Sequence, residues 1–140
     1  MPPPACTLHA TTIAIGGRAV LLCGPSGGGK SDLALRLIDR GAMLVSDDQT
    51  IVTRIDDRLI ASAPATIAGL IEVRGIGIVP LPHVDGVPLA LRVTLGPDVV
   101  RMPEAAAYDI LGLPLPDHYV DAMTASAPIK IELLLRGVPA

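Results

Sequence analysis

The stretch Arg18-Ala19-Val20-Leu21-Leu22-Cys23-Gly24-Pro25-Ser26-Gly27-Gly28-Gly29-Lys30-Ser31 decides the fold: an apolar run passes without a gap into a glycine-rich loop closed by Lys and Ser. After it, Leu33, Ala34, Leu37 and Ile38 fall on one face of a helix predicted from Lys30 to Arg40, with Asp32, Arg36, Asp39 and Arg40 on the other and Gly41 as the stop. Strand, then G-x-x-x-x-G-K-S, then amphipathic helix is the context in which this motif cradles phosphate. The glycines let successive backbone N–H groups turn inward as a nest, and the helix N-terminus adds partial positive charge. Lys30 is expected to reach the β- and γ-phosphates of a nucleotide, and the Ser31 hydroxyl to ligate Mg2+. Gly24, Pro25, Ser26, Gly27, Gly28, Gly29, Lys30 and Ser31 are therefore the candidate nucleotide site.

Working outward, a helix of about 15 Å followed by an apolar strand over Ala42 to Ser46 returns the chain to the edge it left. A strand-helix-strand crossover makes the two strands parallel, so Asp47 and Asp48 should fall beside the glycine loop. Upstream, Thr7 to Ile15 reads as a strand turned at Gly16-Gly17 into Arg18 to Cys23. Downstream, strands are expected over Ile51 to Thr53, Arg58 to Ala61 (after a turn at Asp56-Asp57), Ile71 to Val79 and Pro88 to Leu95. A short helix is expected around Glu104 to Leu111 and a final strand over Ile129 to Leu135. The whole predicts an α/β fold: residues 1–140 as a single P-loop-containing domain whose mixed sheet has more strands than helices.

Half of the 140 residues are apolar, enough for one compact core, and a net charge of −3 lacks the basic excess that nucleic-acid binders need. With two tyrosines and no Phe or Trp, a stacking platform for single strands or a carbohydrate subsite is hard to build. Cys6 and Cys23 form no C-x-x-C pair, and Cys23 reads as a small buried hydrophobe. The uncharged run Leu59 to Ile71 is too short to span a bilayer, and Met1-Pro2-Pro3-Pro4 does not read as a secretory leader. A cytoplasmic protein with neither nucleic acid nor membrane as partner is expected.

Glu72 and Arg74 interrupt an apolar stretch from Ile67 to Pro80 and, two apart, would share a strand face. They read as either a structural ion pair or an acid and a cation facing phosphate; nearby Gly75 and Gly77 would allow the close approach of the second. His9 lies in the strand expected to pair beside the glycine-loop strand. His83 and His118 have no metal-ligand spacing and receive no role.

Gly24 to Ser31, Leu44-Val45-Ser46-Asp47-Asp48 and Ile71-Glu72-Val73-Arg74-Gly75-Ile76-Gly77-Ile78, in that order, resemble the catalytic domain of bacterial HPr kinase/phosphorylase. The third segment is the most specific of the three. The resemblance implies an HPr kinase/PEP carboxykinase-like fold, with ATP and Mg2+ as cofactors. It also implies transfer of the γ-phosphoryl group to a serine of HPr, the small carrier of a bacterial phosphotransferase system. Asp47 would be the base on that serine, and the acid in a reverse, phosphorolytic reaction. Asp48 and Glu72 would join Ser31 at the metal, Arg74 would stabilise charge on the moving phosphoryl group, and His9 and Arg101 would match functional residues of the family. A homo-oligomer, a hexamer, is implied as well. Relative to the long family form, the sequence reads as a short member with no separate N-terminal domain and an abbreviated C-terminal segment.

Two other readings compete: a different P-loop small-molecule kinase or NTP hydrolase, and a regulatory module that senses ATP without turning it over. A guanine-specific GTPase is set aside, because its N-K-x-D motif needs an Asn and the chain has none.

Overall fold

In the computed structural model, residues 2–27, 29–97 and 103–139 are described. The opening strands are β1 (Ala5–Leu8), β2 (Ala10–Ile15) and β3 (Arg18–Cys23); helix α1 (Lys30–Asp39) follows the glycine loop and β4 (Met43–Ser46) follows the helix. Next come β5 (Thr50–Ile55), β6 (Arg58–Ser62), β7 (Leu70–Val73), β8 (Gly77–Pro80) and β9 (Val87–Leu95). The chain closes with β10 (Ala106–Ile110), β11 (Leu113–Val120) and helix α2 (Ala127–Arg136).

Nine strands form one sheet, along the path β1-β5-β6-β9-β3-β2-β4, with β11 also on β9 and β10 outside it. Strand β9 is the branch point: Val87 and Pro88 pair with β6, whereas Arg92 to Leu95 pair with β11. Both β3 and β4 run antiparallel to β2, which lies between them, so the crossover through α1 joins two parallel strands as expected. Strands β3, β9 and β11 are parallel as well, so the chain leaves β3, β4, β9 and β11 at one common edge. That edge carries the site.

Both helices pack on the same sheet face. Leu33, Ala34 and Leu37 of α1 and Ile131 and Leu135 of α2 join Ile13, Val20, Leu22, Leu44, Leu91 and Val93 in the largest core cluster. Leu33 and Leu37 are fully buried, worth about 2–3 kcal/mol each, and this anchors the N-terminus of α1 over the carboxyl end of β3. On the opposite face Leu21 meets Val52, Leu59, Ile110 and Leu115, where β5, β6 and the β10–β11 hairpin curl over the sheet.

Four segments depart from the sequence expectation. Thr7 to Ile15 is two strands broken at His9, because β1 leaves β2 to pair with β5. Ile71 to Val79 is the separate hairpin β7–β8, turned at Arg74-Gly75-Ile76. Glu104 to Leu111 holds a strand, β10 (Ala106–Ile110), and no helix: the helix propensity of Ala105 to Ala107 yields to pairing with β11 through a turn in which Leu111 and Gly112 have φ of 51° and 85°. Ile129 to Leu135 lies in α2, with Pro128 in the first turn. Ala127, Ile131 and Leu135 are buried at helical spacing, a set whose apolar members also satisfy strand alternation.

Candidate active site

Residues 24–29 join the carboxyl end of β3 to α1. Gly24 lies against β9, and a Cβ there would meet the Leu95 carbonyl at 3.3 Å. Gly29 caps α1 with φ 92° and ψ 15°, a left-handed conformation that a side-chain-bearing residue enters only at a cost, and its carbonyl accepts from Leu33 N–H. Lys30 is almost fully buried, and its ammonium donates to the carbonyls of Gly24 (2.8 Å) and Pro25 (3.1 Å). The loop is thus wrapped around its own cation. Gly28 lies outside the described residues, as does Arg101.

Asp47, directly after β4, is buried and fully engaged. Its Oδ1 accepts from Ser31 Oγ (2.7 Å) and Thr11 Oγ1 (3.0 Å), and its Oδ2 accepts from the backbone N–H of Glu72 (2.9 Å). One carboxylate therefore ties the glycine-loop helix, strand β2 and the β7–β8 hairpin together. Asp48 is its opposite in environment. The Gln49 N–H donates to the Asp47 carbonyl (2.7 Å), closing a γ-turn centred on Asp48 at φ 68°, and the Asp48 N–H donates to Thr11 Oγ1 (3.1 Å). This strained turn swings the Asp48 carboxylate out of the sheet, where it is 64% exposed and sits 2.8 Å from His9 Nε2.

A cavity of about 620 Å³ opens over these groups. It is lined by Ser26, Gly27, Gly29, Lys30 and Ser31 from the loop side, by Asp47 and Asp48 from the turn after β4, and by Glu72 and Arg74 from the hairpin. Glu72 and Arg74 do not share a strand face, since β7 ends at Val73 and Arg74 belongs to the turn, and no ion pair among the described residues joins them. Both instead border the cavity as separate charges. His9 reaches it only through Asp48.

Among the described residues no group of three His, Cys, Asp or Glu side chains forms a ready metal cage. The Ser31 hydroxyl and the Asp47 carboxylate, 2.7 Å apart, are instead a pair of hard oxygen ligands that could hold Mg2+, an ion that takes one or two protein ligands and fills its remaining positions with phosphate oxygens and water. Burial pushes the Cys23 thiol up, against the pull of nearby Arg92, so the residue ahead of Gly24 is an unreactive packing group.

Two contributors escaped the sequence reading. Thr11 is buried and bridges both acids, but a threonine inside a strand has no signal until β2 is known to lie between β3 and β4. The turn after β11 is the other: Arg36 on α1 donates to the carbonyls of Ala122 and Thr124 there, and Met123 borders the cavity.

A mixed sheet that delivers a glycine loop to the N-terminus of one helix, with a carboxylate from the next parallel strand on the Ser after the loop lysine, defines the class of P-loop-containing α/β domains. Residues 3–113 match the family model of the HPr Serine kinase C-terminal domain, and the chain belongs to that family. It is 35% identical over 132 residues to the HPr kinase/phosphorylase of Caldicellulosiruptor bescii, covering 91% of this chain and 42% of the relative. It is 38% identical over 130 residues to that of Caldanaerobacter subterraneus, covering 89% and 42%. The chain thus spans about two fifths of the length of these curated relatives. Among solved structures, the Hpr(Ser) kinase/phosphatase from Coxiella burnetii superposes with a TM-score of 0.82 at 32% identity, covering 94% of this chain and 95% of that one. The resemblance drawn from the three motifs is borne out, as is the fold.

Proposed function

We propose that this domain transfers the γ-phosphoryl group of ATP to a serine hydroxyl of an HPr-type phosphocarrier protein. The observation that carries the reading is the Ser31–Asp47 hydrogen bond of 2.7 Å, which couples the glycine loop to the acidic turn under one cavity. In this reading the loop N–H groups and Lys30 take the β- and γ-phosphates, for which Lys30 gives up the two loop carbonyls it now holds. Ser31 and Asp47 would hold Mg2+, with Glu72 at the same side of the cavity; the ion, when bound, neutralises phosphate charge. Arg74, unpaired at the hairpin turn among the described residues, meets charge on the phosphoryl group in flight.

Hydrogen bonding favours an exchange of the roles that the resemblance implied for the two acids. Asp47 is buried with both carboxylate oxygens already engaged by three hydrogen bonds, whereas Asp48 faces the cavity with His9 as its side-chain partner. Asp48 then accepts the serine proton as the serine oxygen bonds to the γ-phosphorus and the bridging oxygen leaves with ADP. Run backwards with inorganic phosphate as the attacking group, the same carboxylic acid returns that proton, which is the phosphorolysis the relatives' names describe. A cytoplasmic location and a hexameric assembly fit the same reading. Among the described residues no helix is long and apolar enough to cross a membrane.

The test is incubation with magnesium, γ-labelled ATP and HPr from the same organism, followed by mapping of the label. Label is expected on an HPr serine and should vanish in Asp48→Asn, whose side chain tolerates the left-handed backbone, while ATP still binds. Asp47→Asn should weaken magnesium-dependent ATP binding as well. Near wild-type transfer by Asp48→Asn would remove the acceptor assignment; ATP binding without label on HPr would remove the HPr reading.

A further inference from the structure

We propose that Met123 is the nucleobase contact of the site, its thioether end packing against the face of the purine; this rests on the nucleotide reading above and adds a position that sets donor choice. The argument begins with strand order. The edge shared by β4, β3, β9 and β11 puts the acidic turn two strands to one side of the glycine loop and the turn at 121–126 two strands to the other. Each lies about 10 Å from it at the usual strand spacing. A triphosphate on the loop with its transferring end toward Asp47 and Asp48 must send its nucleoside the other way, toward that turn.

The turn is built to hold one shape. Asp121 Oδ1 accepts the Met123 N–H (2.9 Å), Thr124 Oγ1 donates to the Asp121 carbonyl (3.0 Å), and the Arg36 guanidinium grips the Ala122 and Thr124 carbonyls from α1. Ala122 is buried beneath, yet Met123 is 74% exposed and borders the same cavity as Lys30 and Ser31. Its Cε stands 3.4 Å from where a Cβ on Gly29 would be, directly against the phosphate loop. What singles Met123 out is its place: an apolar, polarizable side chain held on a pinned turn at the cavity edge beside the glycine loop, where its thioether can pack against an adenine face. Aromatic competitors are missing: the chain has only Tyr108 and Tyr119, Tyr108 stacks on Arg92, and neither borders the cavity.

The experiment measures Kd for Mg-ATP and for magnesium tripolyphosphate, which has the phosphates and no base, on wild type, Met123→Ala and Met123→Leu. Wild type should bind ATP more tightly than tripolyphosphate. Met123→Ala should weaken ATP roughly tenfold and leave tripolyphosphate unchanged, and Met123→Leu should recover most of the loss. Unchanged ATP binding in Met123→Ala overturns the inference and leaves the nucleotide reading standing. Equal weakening of both ligands overturns it too, since the residue would then act on the phosphate loop. Wild type that binds neither ligand overturns the nucleotide reading and the inference together.

Discussion

Replacing Thr11 with valine keeps the shape of the side chain and removes one oxygen that serves both acids. In the native protein that hydroxyl donates to Asp47 Oδ1 at 3.0 Å and accepts the Asp48 N–H at 3.1 Å, from a fully buried position on β2. A hydrogen bond to a charged group is worth roughly 1.5–3 kcal/mol, and an amide left without its acceptor adds to the loss where water cannot reach it. Asp47 keeps Ser31 and the Glu72 N–H, so the carboxylate is weakened in its hold and not orphaned, and the net cost should be about 2 kcal/mol. Unfolding entropies near 2.1 cal/mol/K per residue convert this, for 140 residues, to a fall in Tm of ~7 °C. The γ-turn at Asp48 loses its tether at the same time, so phosphotransfer should drop at least tenfold at a temperature where the variant is fully folded, with ATP affinity changed little. Thermal melts by circular dichroism and single-turnover transfer, read on the same preparation, check both halves. A Tm within ~2 °C of wild type together with unchanged transfer would refute the idea that Thr11 sets the acid geometry. A lowered Tm with full transfer would reduce Thr11 to a packing and folding residue.

Two further outcomes are expected. Gly29→Ala places a Cβ on a residue at φ 92°, a strain of about 1–2 kcal/mol, and brings that Cβ to 3.4 Å from Ala122 and Met123. Differential scanning fluorimetry should show a Tm lower by several degrees, and ATP titration a weaker Kd; an unchanged melt would count against the left-handed cap. On the far side of the helix pair, the Arg40 guanidinium donates to Glu132 from Nε (3.1 Å) and Nη2 (2.7 Å), and this hydrogen bonding holds the Glu132 carboxyl below its ordinary value of 4.5. Because the folded-state value is the lower one, the added stability is present above pH ~4.5 and fades as pH falls through the folded value. Glu132→Gln should therefore melt slightly below wild type at pH 7 and converge with it in acid, and a gap that persists at pH 3 would mean that charge is not the cause.

Legibility in the sequence followed the range of the interactions. The glycine loop, α1 and β4 were readable because their signals are local: an uninterrupted motif, a helical apolar face and a short apolar run whose lengths close on one another. Segments 104–111 and 129–135 were misread for the opposite reason. Ala105 to Ala107 carry helix propensity, but the β10 ladder with β11 and the turn at Leu111-Gly112 outweigh it, and Ile131 with Leu135 fits both periods until α2 is seen against α1. Nothing local distinguishes those alternatives.

The acidic pair marks the limit more sharply. Asp47 and Asp48 are identical in type and adjacent in chain, so a sequence can nominate the pair but cannot divide the labour within it. The division comes from β2 lying between β3 and β4, which sets Thr11 under both residues, and from the γ-turn that keeps one carboxylate inside on Ser31 and turns the other out to His9. Neither cause is a property of the two aspartates themselves. In the function proposed above, the inward, triply bonded carboxylate holds the loop and the cation, and the outward one receives the substrate proton. On that proposal, the strain at Asp48, at φ 68°, is the local cost of giving two neighbouring acids different work.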